Sequence, residues 1–233
     1  MSEPLVLLPG MMCDARLFGS QIASLSRDRA ILVAPLTGQD NIAELAEAVL
    51  DIAPPRFALA GLSMGGIVAM EVIRLAPERV TRLALLDTNP RAEPPGKAEG
   101  RSAQLARLRE KGLEAIMREE LMPYYLASED PADPNLDLCL RMALDFGPEV
   151  FAAQSRALQT RPDQQESLRA VTVPSLVLCG AQDRLCPPAR HELMRDLIPG
   201  AELVQIPEAG HLPTIETPNS VTEAMQSWLA RSA

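Results

Sequence analysis

Aromatic side chains are scarce: four Phe, two Tyr and one Trp make up 3% of the 233 residues. An aromatic cage for a quaternary ammonium is therefore not expected. Histidine is scarcer still, with only His191 and His211. Two histidines without a clustered ligand set argue against a metal centre and leave few candidates for a general base. No cofactor is expected. The four cysteines, Cys13, Cys139, Cys179 and Cys186, show no C-x-x-C spacing, so free thiols are expected. No basic run is present, and a net charge of −9 repels phosphate backbones, so nucleic acid is not an expected partner. The N-terminal "MSEPLVLLPG" lacks a positive n-region, and no apolar stretch reaches about 20 residues. A cytoplasmic protein without membrane association is the expectation.

What remains is ordinary globular composition, 47% hydrophobic and 23% charged, of a length that suits one domain with a modest insertion. Short apolar runs at 4–10, 30–35, 56–61, 80–87, 175–180 and 201–207 read as buried strands. Helical spacing fills 14–25, 41–52, 64–76, 187–198 and 215–231 between them. In 41–52, Asn41 is the N-cap, and Ile42, Leu45, Val49 and Ile52 fall on one face. Pro77 ends the helix before it. Strands separated by helices imply a mostly parallel sheet with helices on both faces. The rhythm breaks at 88–100, where three prolines and two glycines read as a linker, and 101–169 carries helical patterns alone. The expected organisation is a core in two parts, 1–90 and 171–233, with a helical cap at 91–170.

The stretch "ALAGLSMGG" (58–66) puts Ser63 where the third strand turns into a helix. G-x-S-x-G at such a turn is a nucleophile elbow: the residues two before and two after approach the serine's own backbone closely, so only small side chains fit, and Gly61 and Gly65 meet that need. Gly66 adds clearance for the packed helix. The helix N-terminus aims free N–H groups and a positive dipole end at the hydroxyl.

A serine needs a base. His211, in "PEAGHLP", follows a strand at the sheet edge where parallel sheets keep their sites. His191 lies inside a helix beside Arg190 and Glu192 and reads as a solvated surface residue. Gly210 is read as giving the His211 loop freedom to turn the ring inward.

With "LLPGMM", "GLSMGG", "GAQDRLCPP" and "EAGHLPTIETP" in that order, the chain resembles the α/β-hydrolase superfamily, in its small bacterial carboxylesterase-like branch. The resemblance covers essentially the whole length. It departs from fuller members in having Pro9-Gly10 where His-Gly is usual, and in lacking an antiparallel hairpin before the first strand. It implies the α/β-hydrolase fold, and Asp183 as the carboxylate that orients His211. Asp87, at the end of the fourth strand, is the rival, since some members carry the acid there; otherwise it closes the strand as an Asx turn. The oxyanion donors are expected to be the N–H groups of Met64 and Met11.

The cap residues give an adaptable apolar wall, suited to acyl or alkyl groups more than to charged metabolites. Met12, Tyr124 and Tyr125 are the candidates for substrate contact. Glu119 and Glu120 read as solvated cap surface. The expected function is therefore a serine hydrolase cleaving a small or medium apolar ester through Ser63, His211 and Asp183. Thioesterase, lactonase and carbon–carbon hydrolase activities use the same groups. A cofactor-free lyase or haloperoxidase-like enzyme, and a slow-turnover ligand sensor, are the further alternatives. Haloperoxidase-like members often carry a tryptophan near the elbow or oxyanion loop, whereas Trp228 lies in the last helix. Serine at position 63 excludes the dehalogenases of this fold, which use aspartate there.

Overall fold

The computed structural model describes residues 2–231. Strands β1 (Leu5–Leu8), β2 (Ile31–Val33), β3 (Phe57–Leu62), β4 (Val80–Leu86), β5 (Ser175–Gly180) and β6 (Glu202–Ile206) form one sheet in the order β2-β1-β3-β4-β5-β6. All five pairings are parallel. The apolar runs are continuous because both faces are covered. Along β1, Leu5 and Leu7 enter one core while Val6 and Leu8 enter the other. In β3, Ala58, Ala60 and Leu62 take the first side, and Phe57 and Leu59 the second. This two-residue period is the pleat of a strand buried twice.

The helices are α1 (Gly19–Leu25), α2 (Ile42–Ile52), α3 (Met64–Leu75), α4 (Pro95–Lys111), α5 (Leu113–Ile116), α6 (Pro134–Gln159), α7 (Gln165–Arg169), α8 (Pro188–Leu197), α9 (Pro213–Glu216) and α10 (Pro218–Ala230). Leu25 of α1 and Val221, Met225 and Trp228 of α10 join the first core. Leu45 and Val49 of α2, Val68 of α3 and Met194 of α8 join the second. Trp228 is fully buried, and its indole N–H donates to the Pro174 carbonyl at 3.1 Å. Asn41 caps α2 by accepting the Glu44 N–H at 2.9 Å, an interaction that contributes about 1 kcal/mol. Ile52 does not share the buried face of α2. It closes the last turn and is exposed.

Between β4 and β5 the chain is helical, from α4 through α7, with α6 broken at Gly147-Pro148. Leu113, Ile116, Met117 and Phe151 of this segment pack into the same core as α1 and α10. Residues 88–94 are the irregular connection expected of a linker, but 95–100 already belong to a helix. Pro95 is its first residue, where a missing N–H costs nothing and φ is already helical. Among the described residues, no helix is long and apolar enough to cross a membrane.

Candidate active site

Ser63 links the end of β3 to α3 with φ 55° and ψ −116°, a backbone that non-glycine residues rarely hold and that costs roughly 1–3 kcal/mol. The flanking glycines make the corner possible, though not by crowding the serine itself. A Cβ on Gly61 would collide with the Gly65 carbonyl, and one on Gly65 with the carbonyls of Leu8 and Pro9. The elbow is thus locked against the end of β1 by backbone-to-backbone approach.

His211 follows β6. Its Nε2 lies 2.8 Å from Ser63 Oγ, and its Nδ1 lies 2.8 Å from Asp183 Oδ2. With the proton on Nδ1, the ring donates to Asp183 and Nε2 accepts from the serine hydroxyl. Asp183 stands in the turn after β5, and its Oδ1 accepts the N–H groups of Leu185 at 2.8 Å and Cys186 at 2.9 Å. Burial pushes the Asp183 carboxyl up. The His211 charge and hydrogen bond, with those two N–H groups, outweigh burial and hold it below the usual carboxylate range.

Asp87 does not approach His211 by any hydrogen bond among the described residues. Its Oδ1 accepts the Gly180 N–H at 2.9 Å, tying β4 to β5. Its Oδ2 is buried and has no donor, and the Asp183 carboxylate is its neighbour there. Burial and that neighbouring charge push Asp87 well above the usual carboxylate range.

His191 is not a surface residue. It is fully buried on the inward face of α8, and its Nε2 accepts the Thr88 N–H at 3.0 Å. Charged neighbours in sequence misdirect the reading, because Arg190 and Glu192 leave the helix in other directions than residue 191. Burial lowers the ring's pKa to about 4, against the opposing pull of the Asp183 charge and the Pro187 carbonyl.

A cavity of about 230 Å³ opens beside Ser63 and His211. Met11 and Met64 line it, as does Tyr125. The Met64 N–H is the first of α3 and has no intrahelical acceptor. In the loop after β1, Cys13 donates its N–H to Gly10, while Met12 takes a left-handed turn (φ 58°) and donates to Gln154 Oε1 at 2.8 Å. Met12 therefore does not line the cavity: its side chain is buried in the core. Tyr124 is also outside it. That ring is 45% exposed, and the Arg184 guanidinium lies over it at 5.8 Å. Adjacent tyrosines in a tight helical turn point different ways, and only Tyr125 turns inward. Glu120 is not merely cap surface either. It lines the cavity and is held by Arg107 at 2.7 Å and Gln104 at 3.0 Å.

Two supports were invisible in the sequence. Glu216 accepts the Ala127 N–H at 2.6 Å and the Gly210 N–H at 2.9 Å, clamping the helical segment to the His211 loop. The His211 N–H donates to the Tyr125 carbonyl at 2.9 Å in the same junction. Gly210 is small because the backbone of Leu126 and Ala127 packs on it, rather than to free the loop. Gln154 bridges Met12 N–H and the Leu36 carbonyl, each at 2.8 Å.

Ligating atoms of Asp183, Cys186 and His211 lie within 4.8 Å of one another. His211 Nδ1 and Asp183 Oδ2 already bind each other, and burial with nearby carboxylate charge raises the Cys186 thiol, disfavouring the thiolate a metal needs.

The model of the alpha/beta hydrolase family matches residues 5–224. The pimeloyl-(acyl-carrier protein) methyl ester esterase of Nitrosomonas europaea is 28% identical over 237 residues, covering 92% of this chain and 90% of that protein. A thermophilic esterase from Thermogutta terrifontis, with malate bound, superposes with a TM-score of 0.88 at 30% identity, over 98% of this chain and 90% of that one. The enol-lactonase of Burkholderia xenovorans LB400 superposes with a TM-score of 0.87 at 22% identity, over 99% and 92% of the two chains, a likeness of fold.

Proposed function

The chain belongs to the alpha/beta hydrolase family, and from that premise we propose that it is a serine esterase in which Ser63, His211 and Asp183 form the catalytic triad. The observation that carries this reading is the unbroken row of contacts from Ser63 Oγ to His211 to Asp183, 2.8 Å at each step. Ser63 attacks the ester carbonyl while His211 Nε2 takes its proton. Asp183 stabilises the imidazolium and keeps the ring in the required tautomer. The N–H groups of Met64 and Met11 hold the oxyanion of the tetrahedral intermediate. His211 returns the proton to the departing alcohol, leaving an acyl-enzyme. Water, activated by the same nitrogen, then releases the acid.

The helical segment between β4 and β5 acts as the cap. Ile67, Leu121, Leu158 and Leu212 give the cavity an apolar part, and its volume suits a small or medium acyl or alkyl group. That the similar proteins from N. europaea and T. terrifontis are esterases supports an ester substrate. The test is hydrolysis of neutral p-nitrophenyl esters from acetate to octanoate. The wild type is expected to turn them over with a chain-length optimum, and Ser63→Ala to lose on the order of 10⁴-fold in kcat. Equal rates in the two proteins would refute the assignment.

A further inference from the structure

Three cations line the cavity that also holds Ser63 and His211: Lys97 and Arg101 on α4, and Arg161 after α6. Positions 97, 101 and 104 are spaced i, i+4 and i+7, so one face of α4 forms this wall. Glu93 supplies the wall's counter-charge. Its Oε1 lies 2.9 Å from Arg101 Nε, and its Oε2 lies 2.7 Å from Arg161. Glu93 and Arg161 are almost wholly buried, so this arrangement is fixed. Glu120, the other carboxylate in the lining, is neutralised by Arg107. One carboxylate thus serves two guanidiniums, and Lys97 makes no ion pair among the described residues. Two positive charges are left over in a protein whose net charge is −9. They stand close to the chemistry, since the charges of Arg161 and Lys97 reach the Cys186 thiol, whose own N–H binds Asp183.

Resting on the esterase reading, we propose that this wall is a binding subsite for a carboxylate on the substrate, so that the enzyme's ester carries a free carboxylate on its acid or its alcohol part. The wall already holds one carboxylate, Glu93, between two guanidiniums, and a second finds Lys97 and the outer edge of Arg101. A mostly apolar chain with an anionic end fits the apolar lining beside the serine and the cationic face of α4 together. The uncompensated charge also qualifies the expectation that the wall suits acyl or alkyl groups more than charged metabolites, which followed from the Met and Leu of the cap while residues 88–100 read as a linker.

The experiment compares kcat/KM for matched pairs. On the acid side, mono-p-nitrophenyl glutarate and adipate are set against p-nitrophenyl valerate and hexanoate. On the alcohol side, 4-butyryloxybenzoate is set against its methyl ester. In one pair at least, the wild type is expected to prefer the carboxylate by about ten-fold at low salt, with the preference shrinking as salt rises. Lys97 is exposed and unpaired, so Lys97→Glu tests the wall without disturbing the fold; its preference is expected to drop at least ten-fold. Arg27→Glu makes the same charge change outside the cavity and should keep the preference. A wild type that favours the neutral ester in every pair, or a preference untouched by Lys97→Glu, overturns the subsite. Failure of the esterase reading is distinct: neutral esters would then not be cleaved, or would be cleaved equally by Ser63→Ala.

Discussion

Asp87 and Asp183 follow adjacent strands and face each other, and only Asp183 reaches His211, at 2.8 Å. Two buried carboxyls so placed cannot both ionise cheaply. Asp183 gathers His211 and two N–H groups around its charge, while Asp87 has one N–H and a neighbouring anion. The carboxyl better able to hold a charge is thus the one that meets His211.

Asp183→Asn is expected to lose on the order of 10³-fold or more in kcat. Asp87→Asn should keep kcat/KM within about three-fold, because asparagine is the shape of a protonated aspartate. Steady-state kinetics on a neutral p-nitrophenyl ester checks both, and the reverse pattern would move the acid to β4.

The same pair makes a stability prediction. Folded Asp87 keeps its proton at a pH where the unfolded chain has released it, so this residue's contribution falls as pH rises above the usual carboxylate range. Asparagine has no proton to lose. Asp87→Asn should therefore raise Tm at pH 8 and change it little near pH 4. Scanning calorimetry at the two values decides; a lowered Tm at pH 8 would show that the carboxyl is charged in the fold.

His191 titrates in the opposite sense. Its folded pKa is lowered to about 4 from 6.5. Between those values the unfolded chain binds a proton that the folded chain refuses, so stability is complete above pH 6.5 and falls with pH through the window, by up to about 3 kcal/mol. His191→Gln keeps an acceptor for the Thr88 N–H and removes the titration. Urea unfolding at pH 7 and pH 4.5 should show a smaller difference in the variant than in the wild type. Equal differences would mean the ring is not buried neutral.

Glu216 holds both sides of the junction beside His211. Glutamine there can accept only one of the two N–H groups, so Glu216→Gln should cost about 2 kcal/mol of stability. It should also lower kcat several-fold while leaving the KM for neutral esters nearly unchanged, since it loosens the base rather than the cavity. Unchanged Tm and kcat together would show that the clamp is dispensable.

The sheet, its flanking helices and the corner at Ser63 were legible because each rests on local pattern, whereas Asp183 was expected only from the resemblance, with Asp87 as its rival. Apolar runs mark strands buried twice, and the glycines around Ser63 mark a corner where backbone meets backbone. What stayed hidden depends on contacts distant in sequence. His191 sits among charges yet faces inward, because the packing of α8 decides that and its neighbours do not. Tyr124 and Tyr125 are indistinguishable until the turn orients them. The proline cluster conceals the start of α4, and with it the face that brings Lys97 and Arg101 to the cavity. Glu216 looks like any surface glutamate until Ala127, 89 residues away, supplies its partner.

The central assignment, that Ser63 is the nucleophile, is tested most directly by intact mass after treatment with a fluorophosphonate. A single adduct per wild-type chain is expected, with none on Ser63→Ala and a full adduct on His191→Gln. A wild type that stays unlabelled, or an adduct that persists on Ser63→Ala, would contradict it.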